Sequence, residues 1–456
     1  MLKDLLIKYN KPGPRYTSYP PANFFTKNFK PEDYVEALKS SNNEKPDSIS
    51  LYFHVPFCPK MCHFCGCNTA KPDNKNTLEA YFDAMLKEIS NVSSLLSKKR
   101  KVTQIHWGGG TPNSVAFRFI ESVTEKVYSF FSVSENAEIA MECSPAYLSH
   151  TYIKKLRKLG FNRISLGVQD FNENVLKAVN RSGPKYPIEE IISDIRSEGF
   201  DGVNIDLIYG LPLQNRDNFL NTVKKAIKLR PDRLVTFSYA HVPWVNSAQK
   251  ILEDFGLPSS DEKLNMLLTA YHELINSGYE AIGMDHYALP NDNLTIAKRE
   301  KLLHRNFQGY CTKETTGQVY AFGSSGISQL YSTYSQNSKK TSEYIRLINE
   351  VGYAAVRGYS LSDNEKIIRQ IINEVMCNGV LDFNELSKET DISVEILKKI
   401  CNFDKNKFSE FEQDNLIDYS DEKLNISDLG MMVVRNIAMT LDPNLAENIN
   451  LYSKTI

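Results

Sequence analysis

Four of the chain's eight cysteines lie within ten residues, at Cys58, Cys62, Cys65 and Cys67. Structural cysteines are usually dispersed through a core as small hydrophobic residues, so a cluster this dense indicates chemistry. A zinc site would normally require a second cysteine pair a dozen or more residues away, and none follows in the sequence. A thioredoxin-like dithiol at Cys62 and Cys65 would normally open a helix, and it would leave Cys58 without a role.

An iron–sulfur cluster is the third interpretation of these thiols. Three residues separate Cys58 from Cys62 and two separate Cys62 from Cys65. Such spacing suits one loop that supplies three corners of a cubane. The fourth iron would stay open, as the fourth position of a catalytic zinc does. The spacing favours the cluster over the zinc and dithiol alternatives, which remain open at this point.

Several longer strings accompany the cysteines. The Cys-x3-Cys-x2-Cys pattern behind a strand resembles the signature of the radical S-adenosylmethionine (SAM) superfamily. Almost the whole chain resembles one family within this superfamily. This family is the oxygen-independent coproporphyrinogen III oxidases (coproporphyrinogen dehydrogenases). The strings that carry this likeness are YFHVPFC…CHFCGCN, KYNKPGPRYTSYP, HWGGGTP, NRISLGVQDF, NIDLIYGLP, GMDHYALP and HRNFQGY.

The resemblance implies an activity and a cofactor. It places a [4Fe-4S] cluster on Cys58, Cys62 and Cys65, with SAM chelated to the open iron and Cys67 beside the cluster without ligating it. It implies that a 5′-deoxyadenosyl radical takes hydrogen from propionate side chains of coproporphyrinogen III, which loses two CO2 to become protoporphyrinogen IX. The residues implied in catalysis are the three ligands and Tyr52.

The resemblance also implies the residues that contact SAM. The first SAM is expected at Tyr52, Gly109, Gly110, Thr111, Glu142, Gln169, Arg181, Asp206 and Ala240. A second SAM is expected at Phe64, Phe307, Gln308 and Ile327. One departure from the family pattern is Glu142-Cys143-Ser144-Pro145, where the family usually has Glu-x-Asp-Pro.

Residue types alone leave ordinary alternatives for these positions. The run 108–110 could form a plain tight turn, because it matches neither a P-loop nor the G-x-G-x-x-G register. Glu142 and Asp206 could belong to structural ion pairs, since a buried carboxylate needs a partner.

Elements able to position these residues alternate along the chain. Strands are predicted at 50–55, 102–107, 137–142, 163–168, 202–209, 233–240 and 279–284, with helical segments at 78–96, 149–160, 187–199 and 218–229. This alternation predicts an α/β fold with a parallel sheet, either a barrel or an open doubly wound sheet. The resemblance favours a partial, three-quarter TIM-like βα barrel. The unusual polar residues follow the carboxyl ends of strands, where barrel enzymes carry their chemistry.

Four regions are expected. They are an N-terminal arm (1–45), the barrel (46–290), an irregular connecting segment that contributes to the active site (291–360), and a mainly helical, winged-helix-like domain (361–456). The last region is rich in acidic residues, which argues against binding to nucleic acid phosphates.

Composition sets further expectations. A hydrophobic content of 41% and a charged content of 24% are typical of a globular protein with a sizeable core. No apolar run has the length of about 18 residues that a membrane span requires. Clustered thiols without an export signal predict a cytoplasmic protein.

The expected partners are coproporphyrinogen III, an electron donor such as flavodoxin or ferredoxin, and an unknown electron acceptor, with a monomeric chain. Arg15 and Arg305 are candidates for binding the substrate's propionates. The alternative function is that of a haem-binding or haem-trafficking relative that keeps the cluster motif.

Overall fold

The structure, a computed structural model, describes residues 2–72, 74–445 and 452. The strands of these residues are β1 (Ile49–Val55), β2 (Lys101–Gly109), β3 (Ser132–Cys143), β4 (Arg163–Gln169), β5 (Gly202–Tyr209), β6 (Arg233–Ser238), β7 (Glu280–Gly283), β8 (His286–Ala288), β9 (Leu303–Asn306), β10 (Gly309–Thr312), β11 (Gln318–Phe322), β12 (Ile327–Gln329), β13 (Thr333–Asn337), β14 (Ala355–Ser360), β15 (Val380–Asp382), β16 (Ile417–Ser420) and β17 (Lys423–Ile426).

The α-helices in the same part of the chain are α1 (Leu2–Lys8), α2 (Pro31–Ser40), α3 (Lys75–Leu95), α4 (Phe117–Phe130), α5 (His150–Lys158), α6 (Glu173–Ala178), α7 (Ile188–Ser197), α8 (Arg216–Lys228), α9 (Ser260–Asn276), α10 (Asn293–Arg299), α11 (Thr341–Glu350), α12 (Asp363–Asn373), α13 (Phe383–Thr390), α14 (Val394–Ile400), α15 (Ser409–Gln413), α16 (Asp428–Met431) and α17 (Val434–Met439). None of these helices is long and apolar enough to cross a membrane.

The chain forms two compact units. The barrel unit comprises Phe25–Tyr279 and Glu314–Tyr359, and the flanking unit comprises the described residues of Met1–Phe24, Glu280–Lys313 and Ser360–Ile456. Strands of the barrel unit follow the order β14-β13-β12-β11-β1-β2-β3-β4-β5-β6. Strands β1 to β6 are parallel. This parallel β/α arrangement confirms the predicted partial barrel.

The helices between these strands form because their apolar residues recur with helical spacing. In α7 the residues Ile188, Ile191, Ile192 and Ile195 are all buried. Their spacing of three and four residues places them on one side of the helix. The predicted helical segments are therefore confirmed as α3, α5, α7 and α8.

Strands β2 to β5 each have one polar and one apolar face, because successive side chains of a strand point to opposite sides. On β2, Ile105 and Trp107 are buried on one side, whereas Gln104 and His106 lie on the other. The equivalent side of the neighbouring strands carries Glu138, Glu142, Arg163, Ser165, Asn204 and Asp206. We call this side the polar face.

At the N-terminal end of the strands, the polar face is filled by a network centred on Glu138. Its carboxylate accepts hydrogen bonds from Gln104 Nε2 (3.3 Å), Arg163 Nε (3.0 Å) and Arg233 Nη2 (3.5 Å). Although burial raises the pKa of Glu138, the Arg233 and Arg163 guanidinium groups hold it at about 2. Arg163 Nη1 also donates to Asn204 Oδ1 at 2.9 Å. This end of the face is therefore closed by side chains that satisfy one another.

Two predicted features differ from the structure. The predicted seventh strand, β7, belongs to the flanking unit and pairs antiparallel with β8 instead of following a parallel β/α unit. The segment 318–322, predicted to be irregular, is strand β11, which is fully buried and pairs in parallel with β1. Its neighbours β12 and β13 continue the sheet in antiparallel pairs.

The flanking unit contains the expected helices and hairpin. Strands β16 and β17 form the predicted hairpin, and β15 completes a three-stranded sheet beside α12, α13 and α14. The winged-helix-like expectation is thus confirmed. Within this unit, the hydroxyls of Tyr16 and Tyr19 donate to the Asp442 carboxylate at 2.9 and 3.0 Å. These contacts fasten the first residues of the chain to its last helical region.

Candidate active site

The cysteine loop leaves the carboxyl end of β1 and returns to its starting point. Phe57 forms a β-bridge with Ala70. The amide of Cys58 donates to the Ala70 carbonyl at 3.0 Å, and the amide of Ala70 donates to the Pro56 carbonyl at 2.8 Å. The loop between these bonds is therefore closed at its base.

Segments after other strands hold the middle of this loop. The carbonyls of Cys65 and Phe64 accept from Asn246 Nδ2 (2.8 Å) and Gln249 Nε2 (3.2 Å), which follow β6. From the region after α6, Asn180 Nδ2 donates to the Met61 carbonyl (2.8 Å) and the Val179 carbonyl accepts from the His63 amide (3.0 Å). No local pattern in the sequence identified these supports, because they lie more than a hundred residues from the loop.

Each proposed cluster ligand has a distinct environment. Cys58 Sγ lies 3.3 Å from Thr111 Oγ1, and burial raises the pKa of this thiol to about 11. Arg181 Nη1 lies 3.6 Å from Cys62 Sγ, whose pKa is also raised by burial. The pKa of Cys65 is lowered to about 7, chiefly by a hydrogen bond from the side chain of Cys67.

A cluster and a single metal ion require different arrangements of these thiols. No group of three or more histidine, cysteine or acidic side chains among the described residues is placed to hold one ion. In a cubane each thiolate binds a different iron, so the sulfurs need not converge on one point. Metal binding releases thiol protons, and burial, which raises the pKa values of Cys58 and Cys62, favours their protonated forms until a metal binds.

The glycine run at the end of β2 brings main chain against the base of the cysteine loop. The amide of Gly110 donates to the Val55 carbonyl at 2.7 Å. A Cβ at Gly110 would lie 2.7 Å from the Pro56 carbonyl oxygen, and one at Gly109 would lie 2.6 Å from the His54 ring. Gly109 also has φ of +109°, a conformation that side chains disfavour. The run is therefore required for close approach and is more than a simple turn.

Glu142 lies near the carboxyl end of β3. Its carboxylate is hydrogen bonded to His106 Nε2 at 3.0 Å and accepts from the Gly109 amide at 3.3 Å. Burial lowers the pKa of His106, but the hydrogen bond and charge of Glu142 outweigh it and raise the pKa overall. Tyr52 stacks on His106 with ring centroids 6.0 Å apart, and its hydroxyl is bonded to His54 Nδ1 at 3.1 Å.

The sequence patterns did not identify His106 as a site residue. Its signal was its position two residues after Gln104 on the polar face of VTQIHW, opposite the apolar Ile105 and Trp107.

Gln169 is the last residue of β4, and Asp206 lies in the second half of β5. Gln169 has φ of +70°, and its buried Oε1 has no hydrogen-bond partner. Asp206 Oδ2 accepts from Ser165 Oγ at 3.1 Å; burial, followed by the charge of Glu142, raises the pKa of Asp206 to about 7. An unpartnered buried oxygen and a carboxyl whose pKa is raised by burial are costly within a fold, and groups of this kind are frequent at functional sites.

Two further SAM-site residues expected from the resemblance lie in the same unit. Arg181 donates to the Gly167 carbonyl, besides its contact with Cys62. Ala240 is exposed in the segment after β6.

The four residues expected at the second SAM are divided between the units. In the barrel unit, Phe64 packs on a buried cluster that includes Val175 and Leu211, and Ile327 begins β12. In the flanking unit, Phe307 and Gln308 form the turn between β9 and β10.

Both candidate substrate-binding arginines belong to the flanking unit. Arg15 Nη2 pairs with Asp285 Oδ2 at 2.9 Å, and 47% of its side chain is exposed. Arg305 is buried, and its Nη1 lies 3.2 Å from Tyr310 Oη and 2.8 Å from Met284 Sδ.

Ser144, which stands where the family usually has an aspartate, is held in place through its main chain. Its amide donates to Asn113 Oδ1 at 2.9 Å and its carbonyl accepts from Asn113 Nδ2 at 3.0 Å. Cys143, beside it, is buried. The position of Glu142 therefore does not require an aspartate two residues later.

Comparison with known proteins agrees with this geometry. Residues 52–226 match the family model described as the Radical SAM superfamily. The oxygen-independent coproporphyrinogen III oxidase of Synechocystis sp. is 40% identical over 97% of this chain and 95% of that protein, and that of Escherichia coli is 38% identical over the same shares. The enzyme of Helicobacter pylori strain 26695 is 34% identical over 98% of both chains.

A solved structure is also similar over nearly the full length. It is the coproporphyrinogen III oxidase HemN from Escherichia coli, described as a radical SAM enzyme, with a TM-score of 0.87 and 36% identity over 96% of this chain and 98% of that one. The family resemblance carried by the sequence strings is confirmed. This chain belongs to the oxygen-independent coproporphyrinogen III oxidase family of the radical SAM superfamily.

Proposed function

We propose that this chain converts coproporphyrinogen III to protoporphyrinogen IX without oxygen, by oxidative decarboxylation of two propionate side chains. The observation that carries the proposal is the meeting of a three-thiol loop, a glycine run and incompletely partnered polar groups at one end of a parallel sheet, in a chain of this family. Each propionate loses one hydrogen atom, one CO2 and one electron to become a vinyl group.

Cys58, Cys62 and Cys65 are the proposed ligands of a [4Fe-4S] cluster, with Cys67 beside it. When bound, the cluster and SAM supply a 5′-deoxyadenosyl radical that abstracts hydrogen from carbon, which ordinary side-chain acids and bases cannot do. The guanidinium of Arg181 places positive charge beside the Cys62 thiolate, which stabilises it.

The proposed SAM-binding residues have complementary tasks. Gly109, Gly110 and Thr111 let the main chain approach the ligand, and Glu142 offers a carboxylate to its ammonium group. Gln169 and Asp206 offer further oxygens for ligand hydroxyl and amino groups. The other proposed contacts of the first SAM are Tyr52, Arg181 and Ala240.

We extend the proposal to a second SAM, for which the family resemblance implies Phe64, Phe307, Gln308 and Ile327 as contacts. Arg15 and Arg305 are proposed to bind propionates; each is already paired or buried, so binding would exchange existing contacts. The proposed regions are an N-terminal arm (1–45), a catalytic barrel (46–290), a connecting segment that contributes to the site (291–360) and a C-terminal helical domain (361–456).

The remaining proposals concern partners. The chain is proposed to act as a cytoplasmic monomer that receives electrons from a donor such as flavodoxin or ferredoxin, with an electron acceptor still to be identified. The proposal of an electron donor follows from the one-electron chemistry that the cluster requires.

Anaerobic turnover tests the function. Reconstituted protein is incubated with coproporphyrinogen III, SAM and dithionite, and porphyrins are separated after oxidation while 5′-deoxyadenosine is quantified. We expect protoporphyrin in the complete mixture and none when SAM is omitted. Protein that binds haem stoichiometrically, yet leaves coproporphyrinogen unchanged, would instead be a haem-trafficking relative.

A further inference from the structure

A tryptophan and a valine beside the cysteine loop are unusually exposed. Trp244 is 79% exposed and Val245 is 77% exposed, whereas the next large hydrophobic residue in the described part of the chain, Ile7, is 56% exposed. They occupy a turn in which the amide of Val245 donates to the Val242 carbonyl at 2.8 Å. Adjacent exposed apolar side chains on an ordered turn are typical of an interaction surface.

This turn is fastened directly to the main chain that carries the proposed cluster. Asn246, the next residue, bonds the Cys65 carbonyl through Nδ2 at 2.8 Å. On the loop itself, Met61 is 37% exposed and Gly66 is exposed. A Cβ added at Gly66 would meet no atom within 4 Å, so the outer side of the loop is open. A partner on Trp244 would therefore lie beside the cluster loop.

Exposed lysines lie in or adjoin the same loop. Lys60 lies within it and Lys71 follows it, and Lys339 adjoins it because Asn68 Nδ2 donates to the Lys339 carbonyl at 3.0 Å. Within the described ranges, no carboxylate pairs with any of these three ammonium groups. The nearby Glu343 accepts a hydrogen bond from Ser338 Oγ at 2.5 Å. An apolar centre with a basic rim complements an acidic partner.

We propose that Trp244, Val245, Met61 and the rim of Lys60, Lys71 and Lys339 form the docking surface for a small acidic one-electron carrier protein. The proposal deepens the proposed function and rests on it, because only a redox cluster in this loop needs such a partner. One electron leaves the flavin or iron–sulfur centre of the carrier and one electron arrives at the cluster, with no bond or proton exchanged. Small, transient interfaces are usual for redox encounters, and charge steering accelerates them.

Two surface variants and one matched control test the proposal. Trp244→Ala removes the apolar centre, and Lys71→Glu/Lys339→Glu reverses two charges of the rim. The control, Lys98→Glu/Lys99→Glu, reverses two exposed lysines that precede β2, at the other end of the strands. Each oxidised holoenzyme is titrated with an oxidised flavodoxin to obtain Kd at low and high salt, and iron content verifies that every variant holds its cluster.

We expect Kd to rise about tenfold or more for Trp244→Ala, as for an interface hot spot, and to stay at the parent value for the control. The charge-reversal variant should bind weakly and lose most of its salt dependence. In stopped-flow experiments, reduction of the cluster by flavodoxin hydroquinone should slow in parallel, whereas reduction by dithionite, which needs no docking, should not change.

Other outcomes overturn the proposal. Parent-like Kd values in both surface variants would show that the carrier binds elsewhere. If Trp244→Ala slows cluster reduction by dithionite as much as reduction by flavodoxin, Trp244 stabilises the loop instead of binding the carrier. If the parent is a dimer and Trp244→Ala is a monomer, the patch serves self-association. If the cluster of the parent protein is reduced by dithionite but no protoporphyrin forms, the proposed function is contradicted. The docking proposal is tested separately, because the Kd for flavodoxin does not depend on turnover.

Discussion

The two ends of the polar face hold carboxylates in opposite ways. At the N-terminal end, Glu138 is bonded to Gln104, Arg163 and Arg233, and only 19% of its side chain is exposed. At the C-terminal end, Glu142 has one histidine and one main-chain amide as partners, and 44% of its side chain is exposed. Buried charges stabilise a fold only when they are fully paired, so the first end is suited to structure and the second to receiving a ligand.

The same contrast appears in the acidities of the two ends. The paired Glu138 has a pKa of about 2, whereas burial and the charge of Glu142 raise the pKa of Asp206 to about 7. Gln169 adds a buried oxygen without a partner at the C-terminal end. Substitutions at the two ends should therefore affect different properties of the protein.

The largest effect on stability is expected for Glu138→Ala. It removes the carboxylate that Arg163 and Arg233 share, and the loss of one partner from a buried charged group costs about 3–5 kcal/mol. Denaturant titration of the anaerobic protein should show this decrease in the free energy of unfolding. A decrease below about 1 kcal/mol would mean that the N-terminal network does not stabilise the fold.

Glu142→Gln is expected to affect binding instead. The amide keeps the shape of the side chain but loses a charged hydrogen bond of about 1.5–3 kcal/mol, so the Kd for SAM should rise about 10–100-fold. The free energy of unfolding should change by less than about 1 kcal/mol, because the side chain is half exposed. Calorimetric titration of reconstituted protein measures the affinity; parent-like binding would remove Glu142 from the SAM site.

Asp206→Asn should change the pH dependence of stability. With its folded pKa of about 7 above the unfolded value of about 4, Asp206 binds more protons when folded, and its contribution to stability falls as pH rises through this window. The asparagine variant should lack this decline. Parallel melting-temperature curves for parent and variant between pH 4.5 and 7.5 would show that the aspartate is not protonated in the folded state.

The smallest effect is expected for Ser144→Asp, which restores the usual family pattern. Because Ser144 meets Asn113 through its main chain, the substitution should change neither hydrogen bond. The Kd for SAM should stay within about twofold of the parent value, because the side chain of Ser144 takes part in neither bond. A larger improvement would show that the missing carboxylate weakens the natural site.

The sequence was sufficient for the elements whose signal is local. Short β-branched or apolar runs identified β1 to β6, and isoleucines at helical spacing identified α7. Strand β11 was missed because its partner is distant in the chain: Leu51 of β1 pairs with Tyr320. Its short apolar run beside glycines does not by itself distinguish a buried strand from a loop.

The candidate site also combines features that are local in the sequence with features that depend on the fold. The cysteine spacing and GGGTP are visible in the sequence, whereas the hydrogen bond from Asn246 to Cys65 and the left-handed conformation of Gln169 depend on tertiary structure. Isolated asparagines and glutamines have no pattern that assigns them to a distant loop. Only the folded chain relates them to the thiols.

The most direct measurement is the iron and sulfide content of the parent, Cys62→Ala and Cys67→Ala proteins after anaerobic reconstitution, with the paramagnetic resonance spectrum of each after reduction. The account predicts about four irons and four sulfides with a reduced-cluster spectrum in the parent and in Cys67→Ala, since Cys67 lies beside the cluster without ligating it. It predicts loss of both in Cys62→Ala. A full cluster in Cys62→Ala, or none in the parent, would contradict it.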